Sequence, residues 1–307
     1  NDFDHFQEVV HDWHLDFNQL DGGSFHSKLE QIILPEIQIG HTHFDCHLDQ
    51  KGSSPDNMWT FVVIGEDATM FKFNHVETKS TSTMVIYTPG QKINAVSTPG
   101  FQVYTFSVEQ THLQKIAASL GLEKIEEKLR QIDRVELNPE QASSLREQLQ
   151  NVLSLVSLMD EKVATIQGKE LFLELLPTKF LKEIHLHAGC APKKVFKEKH
   201  LLFMEARAYI HTHSHKPITV EGIAKKFKLS ERTLRNYFQE ELGISPKQYL
   251  TTIRLQRVRE VLKTKRENPA TVEQTARRFG FNHMGQFANS YKNLFNELPS
   301  ETLQLSV

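Results

Sequence analysis

The feature that most constrains this 307-residue chain is a degenerate repeat near its end. Residues 218–246 read ITVEGIAKKFKLSERTLRNYFQEELGISP, and residues 270–299 read ATVEQTARRFGFNHMGQFANSYKNLFNELP. Val220, Ala224 and Phe227 recur as Val272, Ala276 and Phe279 at an offset of 52. Leu234, Phe238 and Pro246 recur as Phe287, Tyr291 and Pro299 at an offset of 53, so the second copy carries one extra residue in its turn. Each copy has the pattern of two helices joined by a short turn. The alanine lets the two helices cross closely, and Ser230 is placed to cap the second helix of copy one.

On that second helix Leu234 and Phe238 are spaced i, i+4 and face inward. Ser230 at the helix start and Glu231, Arg232, Arg235, Asn236 and Gln239 on its outer face are the candidate DNA-binding residues of copy one. Arginine bonds guanine O6 and N7 in the major groove, and Asn or Gln does the same to adenine, so this outward set is base-reading chemistry. In copy two the inward pair is Phe287 and Tyr291, and the candidates are His283, Met284, Gln286, Asn289, Ser290 and Lys292. Fewer charges there suggest weak base reading or a grip on phosphate. Lys225 and Lys226 on the first helix of copy one are expected to face phosphate.

Between the copies, Pro246–Lys265 is an amphipathic helix with Tyr249, Leu250, Ile253, Val258 and Leu262 on its apolar side. About 20 helical residues span about 30 Å. One turn of B-DNA is about 34 Å, so one chain could enter two successive major grooves. Charge agrees. Residues 1–121 hold 6 Lys and Arg against 15 Asp and Glu, residues 122–200 hold 13 of each, and residues 201–307 hold 17 against 10, with no Asp. The overall −2 therefore hides a basic end that asks for an anionic partner, and an acidic front that phosphate would repel.

These residues resemble the AraC/XylS family of bacterial transcription regulators. The likeness rests on Ser230-x-Arg232-Thr233-Leu234-x3-Phe238, Gly243-x2-Pro246, Arg254-Leu255, Ala276, Gly280-Phe281, Phe287, Tyr291-Lys292, Phe295 and Pro299-Ser300. The stretch GFNHMGQFANSYKNLFNELPSETL, with Gly285, Phe287 and Asn289, is similar to the ethanolamine-operon-regulator-like subgroup, as are GSFHSKLEQIILPEIQI after the Trp13 segment and STPGFQVYTFSV. The resemblance implies an α+β chain: a cupin-like β-barrel or sandwich sensor over 1–110, connecting helices over 111–190, and an all-α double helix-turn-helix domain over 191–307. It also implies double-stranded DNA, RNA polymerase and a small-molecule effector as partners, and a homodimer through residues 111–190. Activation is the family habit it suggests, although the residues leave the sign of regulation open. The subgroup's effector pair, ethanolamine with adenosylcobalamin, does not follow from the fold, because pockets change readily on one scaffold. No cofactor is assigned.

The front half has its own texture. Apolar spacing through Phe6, Val9, Val10, Trp13 and Phe17 predicts a helix over 3–20. Short Val-, Ile- and Phe-rich runs punctuated by Gly and Pro then predict strands at Ser24–Leu34, Ile37–Leu48, Trp59–Gly65, Thr69–Asn74, Thr83–Thr88, Ile93–Ser97 and Phe101–Val108. After Glu109 the chain reads as helix, with one opening at Asn138-Pro139 and striped by Leu145, Leu149, Val152, Leu153, Val156 and Met159. A further helix from about Gly168 is expected to kink near Pro177, and Ala188–Lys199 is expected to link the domains. Phe25, Trp59, Phe61, Phe71, Phe73, Tyr87, Tyr104 and Phe106 are the candidate lining of an effector cavity, although strand aromatics equally fill a core.

In HTHFDCHLD, a strand would put His41, His43, Asp45 and His47 on one face, a candidate metal set that lacks a later histidine partner. His211, His213 and His215 read instead as a solvated helix end. Sixteen histidines make pH-dependent DNA affinity conceivable. Two distant cysteines fit a reducing compartment, no apolar run reaches membrane-spanning length, and the acidic start lacks a secretory pattern, so a cytoplasmic chain is expected. With no phosphate loop or nucleophile elbow, an enzyme is not expected; a cupin-type metal-dependent enzyme fused to a DNA reader and an effector-independent architectural binder are the alternatives. Residues 195–307 alone are expected to fold and bind DNA.

Overall fold

A computed structural model describes residues 13–23, 25–68, 71–74, 76–78, 80–158, 171–186, 190–192, 198–264 and 271–304. The described residues fall into two compact units. The first draws on Asn1–Asp16, His26–Asp45 and Gln50–Val195, and the second on Phe17–Phe25, Cys46–Asp49 and Phe196–Val307.

The strands are β1 (His14–Gln19), β2 (Ser27–Ile33), β3 (Ile37–Phe44), β4 (Leu48–Ser53), β5 (Met58–Ile64), β6 (Phe71–Phe73), β7 (Val76–Thr78), β8 (Thr83–Tyr87), β9 (Lys92–Ser97), β10 (Phe101–Glu109), β11 (Ile132–Glu136) and β12 (Cys190–Pro192). They form a five-stranded sheet in the order β1-β4-β9-β6-β7 and a seven-stranded sheet in the order β12-β11-β8-β5-β10-β3-β2. The architecture is thus α+β, with sandwich-like antiparallel sheets in front and helices behind. The helices of the first unit are α1 (Gln110–Ser119), α2 (Ile125–Gln131), α3 (Pro139–Leu158) and α4 (Leu176–Leu186), the last entered through a π-helical turn at Leu171–Leu175.

Period-two alternation decides the core. Ile37, Ile39, Trp59, Phe61, Val63, Met84, Ile86, Tyr104, Phe106 and Val108 share a cluster with Leu113, Leu129, Leu145, Leu149, Val152, Leu153, Phe180 and Ile184 from the helices. The described part of the Leu145–Leu153 stripe therefore packs inside this unit; Met159 lies outside the described residues, as do Phe6, Val9, Val10 and Gly168.

Several expectations need correction. The predicted 3–20 helix is a strand over its described C-terminal part, because its backbone pairs with β4 at the edge of the five-stranded sheet. The expected single strand Ile37–Leu48 breaks at Asp45, which turns away to accept from the His26 backbone at 2.9 Å. The helical reading after Glu109 missed β11, whose Ile132 and Val135 suit a pleat and whose Arg134 pairs with Val85 of β8. Cys190–Pro192, expected as linker, pairs with β11; the neighbouring residues 187–189 and 193–197 lie outside the described residues.

Candidate nucleic-acid interface

The second unit carries α5 (Glu198–His213), α6 (Val220–Lys226), α7 (Glu231–Leu242), α8 (Pro246–Lys263), α9 (Val272–Arg278), α10 (Met284–Phe295) and α11 (Pro299–Gln304). Helices α6 and α7 are copy one of the repeat, and α9 and α10 are copy two. Thr219 and Thr271, again 52 apart, cap the first helix of each copy by accepting from Gly222 N and Gln274 N. The turns superpose in kind. Leu229 N donates to Ala224 O at 2.9 Å, and Phe281 N to Ala276 O at 3.1 Å. Each turn needs one left-handed residue: Lys228 at φ 55° in copy one, Gly280 at φ 85° in copy two. The two second helices end alike, on left-handed Gly243 and Asn296. They begin differently. Ser230 Oγ accepts from Thr233 N at 3.0 Å, whereas His283 makes no side-chain cap.

Ala224 and Ala276 are buried where the paired helices cross, and Leu234, Phe238, Phe287 and Tyr291 are buried beneath them. Amphipathic helices packed that way turn their other face outward. Glu231, Arg232, Arg235, Asn236 and Gln239 are all exposed on α7, and Ser230 is exposed at its start. On copy two His283, Gln286, Asn289 and Lys292 are exposed, while Met284 and Ser290 are half-buried. Gln239 is partly engaged, its amide donating to Gly243 O at 2.8 Å.

Four cations stand at matching places at the C-terminal ends of the first helices: Lys225 and Lys226 of α6, and Arg277 and Arg278 of α9, all exposed. Lys226 Nζ lies 4.8 Å from the Tyr209 ring centroid, and Arg277 pairs with Glu273 at 2.9 Å. The sequence reading overlooked Arg277 and Arg278, although their offset of 52 from the two lysines was there to find. It named Arg254 of α8 only as part of the family likeness, with no role. Its guanidinium donates to the carbonyls of Ser214 at 3.0 Å, Lys216 at 2.9 Å and Ile218 at 3.3 Å, and lies against Gly280 in the turn of copy two. Burial lowers its pKa. One side chain therefore ties the approach to copy one to the turn of copy two.

The other candidates behave differently. Trp59, Phe61, Tyr104 and Phe106 alternate onto the helix-facing side of the large sheet. There Phe180 stacks 5.5 Å from Phe61 and 4.7 Å from Phe106, and Trp59 Nε1 donates to Glu126 at 3.2 Å. Tyr87 lies on the opposite face, edge-on to Phe73 at 4.8 Å. Phe25 belongs to the second unit, and the side chain of Phe71 lies outside the described residues. Alternation thus puts Trp59, Phe61, Tyr104 and Phe106 on one face of the large sheet and Tyr87 on the other.

The metal set also divides. Strand β3 ends at Phe44, so alternation does not carry His47 onto the face of His41 and His43, and His47 belongs to the second unit. Both ring nitrogens of His41 are engaged, Nδ1 with Glu30 at 3.0 Å and Nε2 with Gln102 at 2.9 Å. Burial holds its pKa below the ordinary value despite the pull of Glu30. Among the described residues no group of three or more His, Cys, Asp or Glu could hold a metal ion. His211 is not a solvated end: its Nε2 meets Tyr249 Oη at 2.6 Å, and His213 stacks on Tyr209 at 4.1 Å, while His215 is exposed.

A helix-turn-helix domain family matches residues 223–304. Over 112 residues the chain is 30% identical to the XylDLEGF operon transcriptional activator of Pseudomonas putida, covering 36% of this chain and 35% of that protein. Over 98 residues it is 40% identical to a probable thc operon regulatory protein of Rhodococcus erythropolis, covering 31% and 29%. Among solved structures, a probable AraC family transcriptional regulator from Rhodopseudomonas palustris is 33% identical, covering 34% of this chain and 97% of that one at a TM-score of 0.33. The chain thus spans about a third of the length of each of these two curated relatives. No helix among the described residues is long and apolar enough to cross a membrane.

Proposed function

We propose that the chain is, through its C-terminal unit, a regulator of the AraC/XylS type, a sequence-specific DNA-binding transcription regulator reading two successive major grooves. The observation that carries this reading is the duplicated, differently charged pair of exposed helix faces on α7 and α10, joined by the 18-residue α8. Copy one, with Arg232, Arg235, Asn236 and Gln239 exposed, supplies base-edge donors; copy two, with Gln286, Asn289 and Lys292, adds a lighter second contact. Lys225, Lys226, Arg277 and Arg278 grip phosphate on either side.

Activation, contact with RNA polymerase and a cytoplasmic site of action extend the reading from the named activators among the relatives. Control by a small molecule held in the first unit extends it further, supported by the two-sheet architecture with Phe73 and Tyr87 meeting from different sheets. The Gly285–Ala288 core supports the ethanolamine-operon-regulator-like subgroup. A homodimer through 111–190 is supported by a groove of about 610 Å³ beside α3 and α4, where Leu155, Leu175 and Leu186 are exposed. Sedimentation finding only monomer at tens of micromolar would remove the dimer.

The central test is selection of duplexes from a random library by the full chain, followed by footprinting. Two protected tracts about 10 bp apart on one face are expected. Equal affinity for selected and random duplexes would overturn sequence-specific reading.

A further inference from the structure

Two short stretches from the front of the sequence, 17–25 and 46–49, belong to the unit that carries both helix-turn-helix copies. They are tied to each other: Leu20 N donates to His47 O at 2.8 Å, and His47 N donates to Asp21 Oδ1 at 2.9 Å. One end engages copy one. Asp49 is completely buried and accepts on Oδ2 from Arg207 Nε of α5 at 3.0 Å and from Tyr249 Oη of α8 at 2.7 Å. The Tyr249 ring and Phe203 of α5 both lie against Phe238, the inward anchor of α7, at 5.4 and 5.1 Å. The other end engages copy two. Gln19 donates its side-chain amide to Leu294 O of α10 at 3.3 Å, and Gln256 of α8 donates to Gln19 O at 3.3 Å. Gly22 sits against the Asn293 carbonyl so closely that a Cβ there would collide with backbone.

We propose that these stretches are a brace that fixes the spacing and phase of the two recognition helices, with Asp49, Gln19 and Gly22 as its positioning residues. The physical need is specific. Helix α8 sets the distance between the copies, and Arg254 is one link that resists their rotation about its axis. A second link off that axis, touching α10 at one end and the support of α7 at the other, removes the rotation. Two half-sites on one chain gain affinity through effective concentration only when geometry allows simultaneous engagement, so a braced pair binds a correctly phased site at little ordering cost. This inference rests on the two-groove reading above, but its first test does not need DNA.

In the full chain, spin labels carried on non-natural residues at positions 235 and 289 report the distance between α7 and α10. A narrow distribution is expected, and it should broaden in Gly22→Val and in Gln19→Ala. Gln19→Ala removes the side-chain bond to Leu294 without a backbone clash and serves if Gly22→Val fails to fold. Unchanged width in a folded Gly22→Val variant would overturn the brace. The second readout is affinity for a selected duplex with 5 bp inserted between its two footprints. The wild-type chain should lose about 100-fold, and the variants less than about 10-fold, with affinity for a duplex holding one half-site unchanged. Equal losses on every duplex would mark a merely structural role and overturn the proposal. Absence of a spacing penalty in the wild-type chain, with broadened distances in the variants, would overturn the two-groove reading while sustaining the brace.

Discussion

Arg232 is exposed on the first turn of α7, where a recognition helix meets base edges. Arg232→Ala should cost about 1–3 kcal/mol on a selected duplex and relax its preference at one base pair. Equal losses on selected and random duplexes would make it a phosphate contact instead. Asp49 tests the opposite kind of residue, one with no exposure at all. Burial pulls the Arg207 pKa down, but Asp49 and Tyr249 more than restore it, so the guanidinium stays charged. Asp49→Asn leaves that charge without its counter-ion. Breaking a buried pair costs about 3–5 kcal/mol, to be read by denaturant unfolding. A cost under about 1 kcal/mol would mean that the pair is solvated, like a surface one.

At the scale of the element, the two copies differ in ways that bear on their work. Copy one begins on a capped serine and carries the denser set of donors; copy two begins on uncapped His283. Ser230→Ala should therefore loosen α7 by about 1 kcal/mol, measured as faster amide exchange in its first turn. The ends of the first helices should behave uniformly. Replacing Lys225 and Lys226 with alanine, or Arg277 and Arg278, should weaken selected and random DNA alike. Each pair should lower the slope of log affinity against log salt by about 2. An unchanged slope would take those cations off the phosphates.

For the whole molecule, acidity acts through His41, which is buried, and His47, which is half-buried. Burial depresses the pKa of His41 against the pull of Glu30, and that of His47 against Asp21 and Asp49. A depressed histidine stays neutral in the folded chain while the unfolded chain takes up its proton near the ordinary 6.5. The unfolded state then binds more protons, so stability falls as pH drops below that value and is unaffected well above it. Melting temperature should therefore decline between pH 7 and 5.5, and decline less in the His41→Gln, His47→Gln double variant. The second unit also changes the expectation for a 195–307 fragment. Lacking 17–25 and 46–49, it loses Asp49 from beside Arg207 and Tyr249, so it should melt below the unit in the intact chain.

The sequence by itself determined what local rules govern. Helical spacing, caps and a duplicated alanine specify two helix-turn-helix copies, because each signal lies within a dozen residues of the structure it shapes. Strand punctuation likewise marked most of the front sheets. It did not mark β11, whose five residues lie between helical runs and become a strand by pairing with β8. Nor could the aromatic positions say which face they would occupy, since alternation sorts side chains between faces but the layers decide what covers each face. Asp49 and Arg207 stand 158 residues apart, and no periodicity joins them. Only tertiary structure made them partners: a buried charge is tolerated where a counter-ion meets it, and packing alone decides where that meeting happens.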